Sequence, residues 1–182
     1  HDASPRPLED IANLLVTHSA LQSLTAQEGT VIAHYMAQVD YNAGQLIFQA
    51  GQAEQENDFM LLIVEGEVQV ETQTTGEGAV VVDVAGSGHL LGEMALLDGE
   101  PRSATCRADT PVKAAKLTRA SLAQLLQQEP AIAARFFMAI AKRLADRLRV
   151  SNHKQLVLNQ VGMAMQQELQ TQKRSRLGLK AA

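Results

Sequence analysis

Between residues 40 and 118 the chain is cut into short apolar and β-branched runs by glycine-rich turns, and this punctuation leaves little choice of fold. Leu46-Ile47-Phe48 follows the turn Asn42-Ala43-Gly44 and closes at Ala50-Gly51. Met60 to Glu71 begins as a continuous apolar run, breaks at Glu65-Gly66-Glu67 and resumes with Val68 and Val70. Ala79 to Val84, Ala104 to Arg107 and Val112 to Leu117 complete the series, with Gly86-Ser87-Gly88 ending the first of these. Runs this short satisfy their backbone hydrogen bonds only by pairing with one another, and several at close spacing imply a small closed or nearly closed β structure. The expected fold is mainly β, a jelly-roll-like barrel (double-stranded β-helix) over residues 40–118.

Helical periodicity brackets the barrel. Leu8, Ile11, Leu14 and Leu15 recur at helical spacing, and Leu21, Leu24, Val31, Ile32 and Tyr35 suggest a second and a third short helix before Gln38. Thr118 is a candidate N-cap for a helix carrying Leu122, Leu125 and Leu126, which should stop near Glu129-Pro130; Pro130 suits the first turn of the next helix. Ala131 to Arg149 contains no Gly or Pro and sets Ile132, Phe136, Phe137, Ile140, Leu144 and Leu148 on one stripe, so a long amphipathic C-terminal helix is expected. Beyond a polar interruption at Ser151 to Gln155, Leu158, Val161, Met165 and Leu169 suit a partner helix. Residues 8–150 therefore read as one domain, with helices in 8–38 and 118–150. Residues 1–7 read as a poorly ordered lead-in, and 151–182 as a helical extension ending in a basic tail, Lys173 to Lys180, that should fray.

Composition narrows the class. With 46% hydrophobic and 20% charged residues in 182, the chain can bury a core. It has no run of 18 apolar residues and no basic segment leading into an apolar one, so neither membrane span nor signal peptide is expected, and the location expected is cytoplasmic. Cys106 is the single cysteine, which removes disulfide scaffolds and zinc ribbons and leaves it the role of a small buried hydrophobe. The five histidines include no His-x-His pair and only one within the strand region, so a cupin-type metal enzyme, the enzymatic alternative, is not expected. No metal site is assigned. Charge is uneven: residues 1–130 hold 6 Lys/Arg against 18 Asp/Glu, residues 131–182 hold 10 against 2. A basic helix lying against an acidic body explains this, in one molecule or between subunits; a nucleic-acid arm would need a recognition element as well.

The stretch Gly88 to Thr105 carries the chemistry. Gly92 permits close backbone approach, and Glu93-Met94-Ala95-Leu96-Leu97 before Asp98-Gly99 fits one helical turn whose leading N–H groups favour an anion. Arg102 adds a planar fork of donors that matches two phosphate oxygens, and Ser103 adds a hydroxyl. Glu93 would be unwelcome near a phosphate unless it accepts a hydrogen bond from the same ligand, as from a ribose hydroxyl. Arg102 could instead be a solvated charge at a strand start, or pair with Glu93 in a structural salt bridge.

The ordered combination Gly92-Glu93, short apolar turn, Asp98-Gly99, Pro101-Arg102-Ser103-Ala104-Thr105 resembles the phosphate-binding cassette of the cyclic nucleotide-binding domain family, found in catabolite-activator-type regulators and protein kinase regulatory subunits. Ala43 to Gly51 and Phe59 to Val70 resemble that family's early strand and next hairpin. The resemblance spans about residues 8–150. It implies that Glu93 accepts from the ribose 2′-hydroxyl, that Arg102 neutralises the cyclic phosphate, that Ser103 bonds a phosphate oxygen or reaches the base, and that Gly92, Met94, Ala95 and Ala104 line the backbone approach. Catabolite-activator-type proteins read adenine with small hydroxylated residues on the helix after the barrel. Here that stretch is Leu144-Ala145-Asp146-Arg147-Leu148, so Arg147 either meets the purine or is a solvated helical arginine. After His153 too few residues remain for the winged helix-turn-helix domain of those regulators, so DNA is not an expected partner.

The implied function is a non-catalytic sensor of cAMP, with cGMP the second choice, which couples ligand to movement of the C-terminal helix. Its other expected partners are a second copy of the chain, through that helix, and an effector protein of unidentified kind. No cofactor beyond the nucleotide is implied, and a ligand-blind interaction module on the same fold is the alternative. On this reading Arg102→Glu should abolish binding and leave folding intact.

Overall fold

The structure, a computed structural model, describes residues 8–17, 21–52, 58–74, 78–176 and 178. Its elements run α1 (Leu8–Thr17), α2 (Ala26–His34), β1 (Ala37–Tyr41), β2 (Leu46–Phe48), β3 (Phe59–Glu65), β4 (Val68–Thr74), β5 (Gly78–Ala85), β6 (Leu90–Leu91), α3 (Glu93–Asp98), β7 (Thr105–Ala108), β8 (Val112–Thr118), α4 (Arg119–Gln128) and α5 (Pro130–Arg176). The chain divides into two units, His1–Ile140 and Ala141–Ala182.

In the first unit the eight strands form two antiparallel four-stranded sheets, ordered β1-β8-β3-β6 and β2-β7-β4-β5, the expected β architecture. The continuous apolar run explains β3: Phe59 to Val64 are all buried, because both faces of this strand are covered. Phe59, Leu61 and Ile63 join Phe48, Val68, Cys106, Ala108, Val112 and Ala114 in one cluster fed by both sheets. By the two-residue period of a strand, Met60, Leu62 and Val64 face the other way, and α1 and α3 pack against β3. Each large side chain buried there contributes about 1.5–3 kcal/mol. Cys106 is buried in the cluster, as expected of a small hydrophobe.

Three elements differ from the sequence expectation. The N-terminal segment holds two helices among the described residues, not three: Leu21 to Leu24 forms a turn closed by Leu24 N–H donating to Leu21 C=O at 2.9 Å, and one helix, α2, follows. The chain then leaves helical structure at His34, and Ala37–Tyr41, expected to span a helix end at 38 and the start of the barrel at 40, forms β1 throughout. Its polar Gln38 and Asp40 hide the alternation; pairing with β8, Val39 opposite Ala114, makes it a strand. Finally, α5 runs unbroken through Ser151 to Gln155. That polar stretch has neither Gly nor Pro, and its residues cost a helix at most about 0.7 kcal/mol each. The lead-in 1–7 lies outside the described residues, as does most of Lys173 to Lys180 past Arg176.

α2 opens with a capping box: Thr25 Oγ1 accepts from Glu28 N–H at 3.3 Å, and Thr25 N–H donates to Glu28 Oε2 at 2.8 Å. Arg135, in the first part of α5, donates from Nε to Glu28 Oε1 at 2.9 Å. The Thr25 backbone donor, aided by its hydroxyl and by Arg135, outweighs burial and holds the Glu28 carboxyl below the usual carboxylate range. A lowered folded pKa adds stability above the ordinary value that is lost as pH falls through the folded one. Melting temperature should therefore fall more steeply across that acid window in the parent than in Glu28→Gln; equal slopes would remove Glu28 from the balance. Thr25→Ala should cost about 1 kcal/mol at neutral pH.

In the first unit α5 buries Ala133, Phe136, Ala139 and Ile140. In the second unit Leu148, Leu158, Val161, Met165 and Leu169 are all exposed on the helix. No helix among the described residues is long and apolar enough to cross a membrane.

Candidate functional site

α3 has six residues between two glycines in the left-handed region, Gly92 (φ 78°) and Gly99 (φ 72°), the latter donating its N–H to Ala95 C=O at 3.0 Å. A left-handed N-cap turns the chain sharply out of β6 and aims Glu93 inward, where it is 2% exposed. The Gly92 position also has no room for a side chain: a Cβ there would lie 2.5 Å from Arg102 Nη1 and 2.9 Å from Phe59 O. The close approach inferred from the sequence is to the arginine of the same cassette.

Arg102 is buried, at 6% exposure, and so is not a solvated strand-start charge. Its backbone is fixed on both sides, N–H to Gln52 C=O at 2.9 Å and C=O from Gly51 N–H at 2.8 Å. Its Nη1 donates to Phe59 C=O at 2.9 Å and to Gly92 C=O at 3.2 Å. Its Nη2 lies 3.7 Å from Asp58 Oδ1. The guanidinium carbon is 4.4 Å from the Phe48 ring centroid and 4.8 Å from that of Phe59, and the two rings meet edge to face. Burying a guanidinium is costly without such partners; the two aromatic faces and the Asp58 carboxylate offset the lost hydration. A small cavity of about 70 Å³ borders it, lined by Ile47, Phe48, Gln52, Asp58, Phe59 and Arg102.

Glu93 and Arg102 converge: Gly92, whose carbonyl Arg102 holds, is the residue before Glu93. Both also act on Cys106. Burial chiefly pushes that thiol up to about 12; the positive Arg102 opposes the rise, and Glu93 and Glu71 add to it. Cys106 is opposite Val70 on β4. Of the other residues singled out, Ala95 is buried, Gly92 and Ala104 are half-buried, and Met94 and Ser103 are exposed. Arg147 is exposed and belongs to the second unit.

Sequence reading missed Phe48, Phe59 and Asp58 as parts of the site, and Arg119, whose Nη2 lies 3.5 Å from Asp58 Oδ2. The phenylalanines read as strand apolars, and no local pattern singles out Asp58. A wider groove of about 610 Å³ between α2 and α4, lined in part by His34, Tyr35, Gln124 and Gln128, contains none of the cassette residues.

The cyclic nucleotide-binding domain model matches residues 38–129, from β1 to the end of α4, with the cassette inside. The chain belongs to the cyclic nucleotide-binding domain family. It is 40% identical over 91 residues to a cyclic nucleotide-gated potassium channel of Mesorhizobium japonicum, covering 50% of this chain and 23% of that one. It is 27% identical over 134 residues to the lysophospholipase nte1 of Aspergillus fumigatus, covering 70% of this chain and 9% of that enzyme. The solved cyclic nucleotide-binding domain from Methylobacillus flagellatus superposes with a TM-score of 0.70 at 28% identity, covering 81% of each chain. The chain spans under a quarter of the length of the two curated relatives, which hold this kind of domain within much longer proteins. In this family member Gly92 to Thr105 is the segment that resembles the phosphate-binding cassette.

Proposed function

We propose that this domain is a non-catalytic sensor of a 3′,5′-cyclic purine nucleotide, cAMP by the likeness of its cassette to catabolite-activator-type proteins and cGMP as second choice. Arg102 neutralises the cyclic phosphate, Glu93 accepts from the ribose 2′-hydroxyl, and Ser103 bonds a phosphate oxygen or reaches the base. Gly92, Met94, Ala95 and Ala104 line the approach. The observation that carries the reading is the burial of an acid and a base, Glu93 at the start of the glycine-bracketed helix α3 and Arg102 three residues past its closing Gly99. Burying two ionised groups carries a desolvation cost that a packed apolar pair would not, which favours a role in binding for them. Movement of the C-terminal helix is the output, and a bias of about 1–3 kcal/mol in its equilibrium suffices. The exposed stripe Leu158, Val161, Met165 and Leu169 supports a homodimer through the C-terminal helix, with an effector protein acting in the cytoplasm.

One observation favours a second reading, a ligand-blind interaction module: Arg102 already has partners within the chain in Asp58, Phe59 and Gly92. Thermal melts separate the two. A ligand at 100 times its dissociation constant adds about 2.7 kcal/mol, which for a chain of this size raises the melting temperature by roughly 5–10 °C. We expect that rise with cAMP and a smaller one with cGMP. No rise with cAMP, cGMP or a cyclic dinucleotide would favour the module.

A further inference from the structure

Asp58 is the least exposed carboxylate among the described residues, at 1%, and it lies between two guanidiniums. Arg102 Nη2 is 3.7 Å from its Oδ1, and Arg119 Nη2 is 3.5 Å from its Oδ2. Arg119 is the first residue of α4; its N–H donates to Asp58 C=O at 2.9 Å, and its Nη2 also donates to Ala95 C=O of α3 at 2.9 Å. One side chain thus touches the chain entering β3, the cassette helix and the helix after the barrel.

The charge balance gives this arrangement a consequence for binding. An anion that docks on Arg102 must share that guanidinium with Asp58, and charges so buried are weakly screened. Glu93, also buried and close enough to act on the same thiol as Arg102, adds a second negative charge to the neighbourhood. Arg119 is the group that engages Asp58 through its other oxygen and so divides the carboxylate's attraction. We propose that Arg119 is a positioning residue for anion recognition: by holding Asp58, it keeps Arg102 available to the phosphate of the ligand. The inference rests on the reading of the cassette as a cyclic nucleotide site, and it adds a residue outside the cassette to that site.

Calorimetric titration of the whole chain with cAMP and cGMP tests it. Arg119→Gln should weaken binding ~10-fold, the worth of one charged contact, and R119Q combined with D58N should return affinity to within ~3-fold of the parent. The rescue separates the proposal from a structural role, because a side chain that only tethers α4 to Ala95 cannot be replaced by neutralising Asp58. Should R119Q fold poorly, R119K carries the same comparison: weaker binding, restored by D58N. Parent-like affinity in a folded R119Q, or loss without rescue by D58N, overturns the proposal while leaving the nucleotide site standing. Failure of the unmodified chain to bind either nucleotide overturns the site and the proposal together.

Discussion

Arg102→Gln is expected to weaken cyclic nucleotide binding by at least about two orders of magnitude, roughly 2.7 kcal/mol, because on the proposed reading it removes the guanidinium that neutralises the phosphate. Burial sharpens this relative to an exposed arginine, since the contact is made where water cannot screen it. The same substitution should cost about 1–3 kcal/mol of fold stability through the lost donors to Phe59 and Gly92 and the weakened partner of Asp58. Calorimetry alongside a denaturant melt reads the two effects separately, and unchanged affinity in a folded variant would dispose of Arg102 as the phosphate ligand. Arg102→Glu is no longer a clean test. It would take from Asp58 a buried partner, a loss that costs about 3–5 kcal/mol, and set a second carboxylate near it, so a fold defect is expected to accompany any loss of binding.

Gly92→Ala is expected to cost about 3 kcal/mol of stability, lower the melting temperature by roughly 6–12 °C and abolish binding. Two costs combine. An L side chain at φ 78° is strained by about 1–2 kcal/mol, and its Cβ would stand 2.5 Å from Arg102 Nη1 and 2.9 Å from a backbone oxygen that cannot move without β3. The arginine must therefore leave both of its carbonyl acceptors. Gly44→Ala is the control: its φ is 79°, with open space around the missing Cβ. It should show the backbone strain alone. Equal losses in the two variants would mean that close approach to Arg102 is not why residue 92 is glycine.

Much of the site was legible because its parts are contiguous. Gly92, Glu93, Gly99 and Arg102 fall within eleven residues, and their order encodes a close backbone approach, an acid opening one helical turn, an Asp-Gly stop and an arginine just after it. The partners of Arg102 are not contiguous with it. Phe48 and Phe59 come from two strands in different sheets, Asp58 stands 44 positions before Arg102, and Arg119, which engages that same Asp58, stands 17 after it. Nothing local distinguishes Asp58 from any polar residue ahead of an apolar strand. Similarly, β1 is a strand because β8 offers it hydrogen bonds, whereas its own alternation is too short and too polar to declare it.

What the amino-acid order determined by itself was everything set by local chemistry: the glycines that tolerate positive φ, the apolar periods that separate strands from helices, the capped helix starts and the cassette's succession of charges. Tertiary structure alone decided which of those charges are buried and against what. The reason is that desolvation is a property of the surroundings: the same guanidinium is ordinary in water and costly between two phenylalanine rings, and the chain supplies those rings from positions that only folding brings within 5 Å of it.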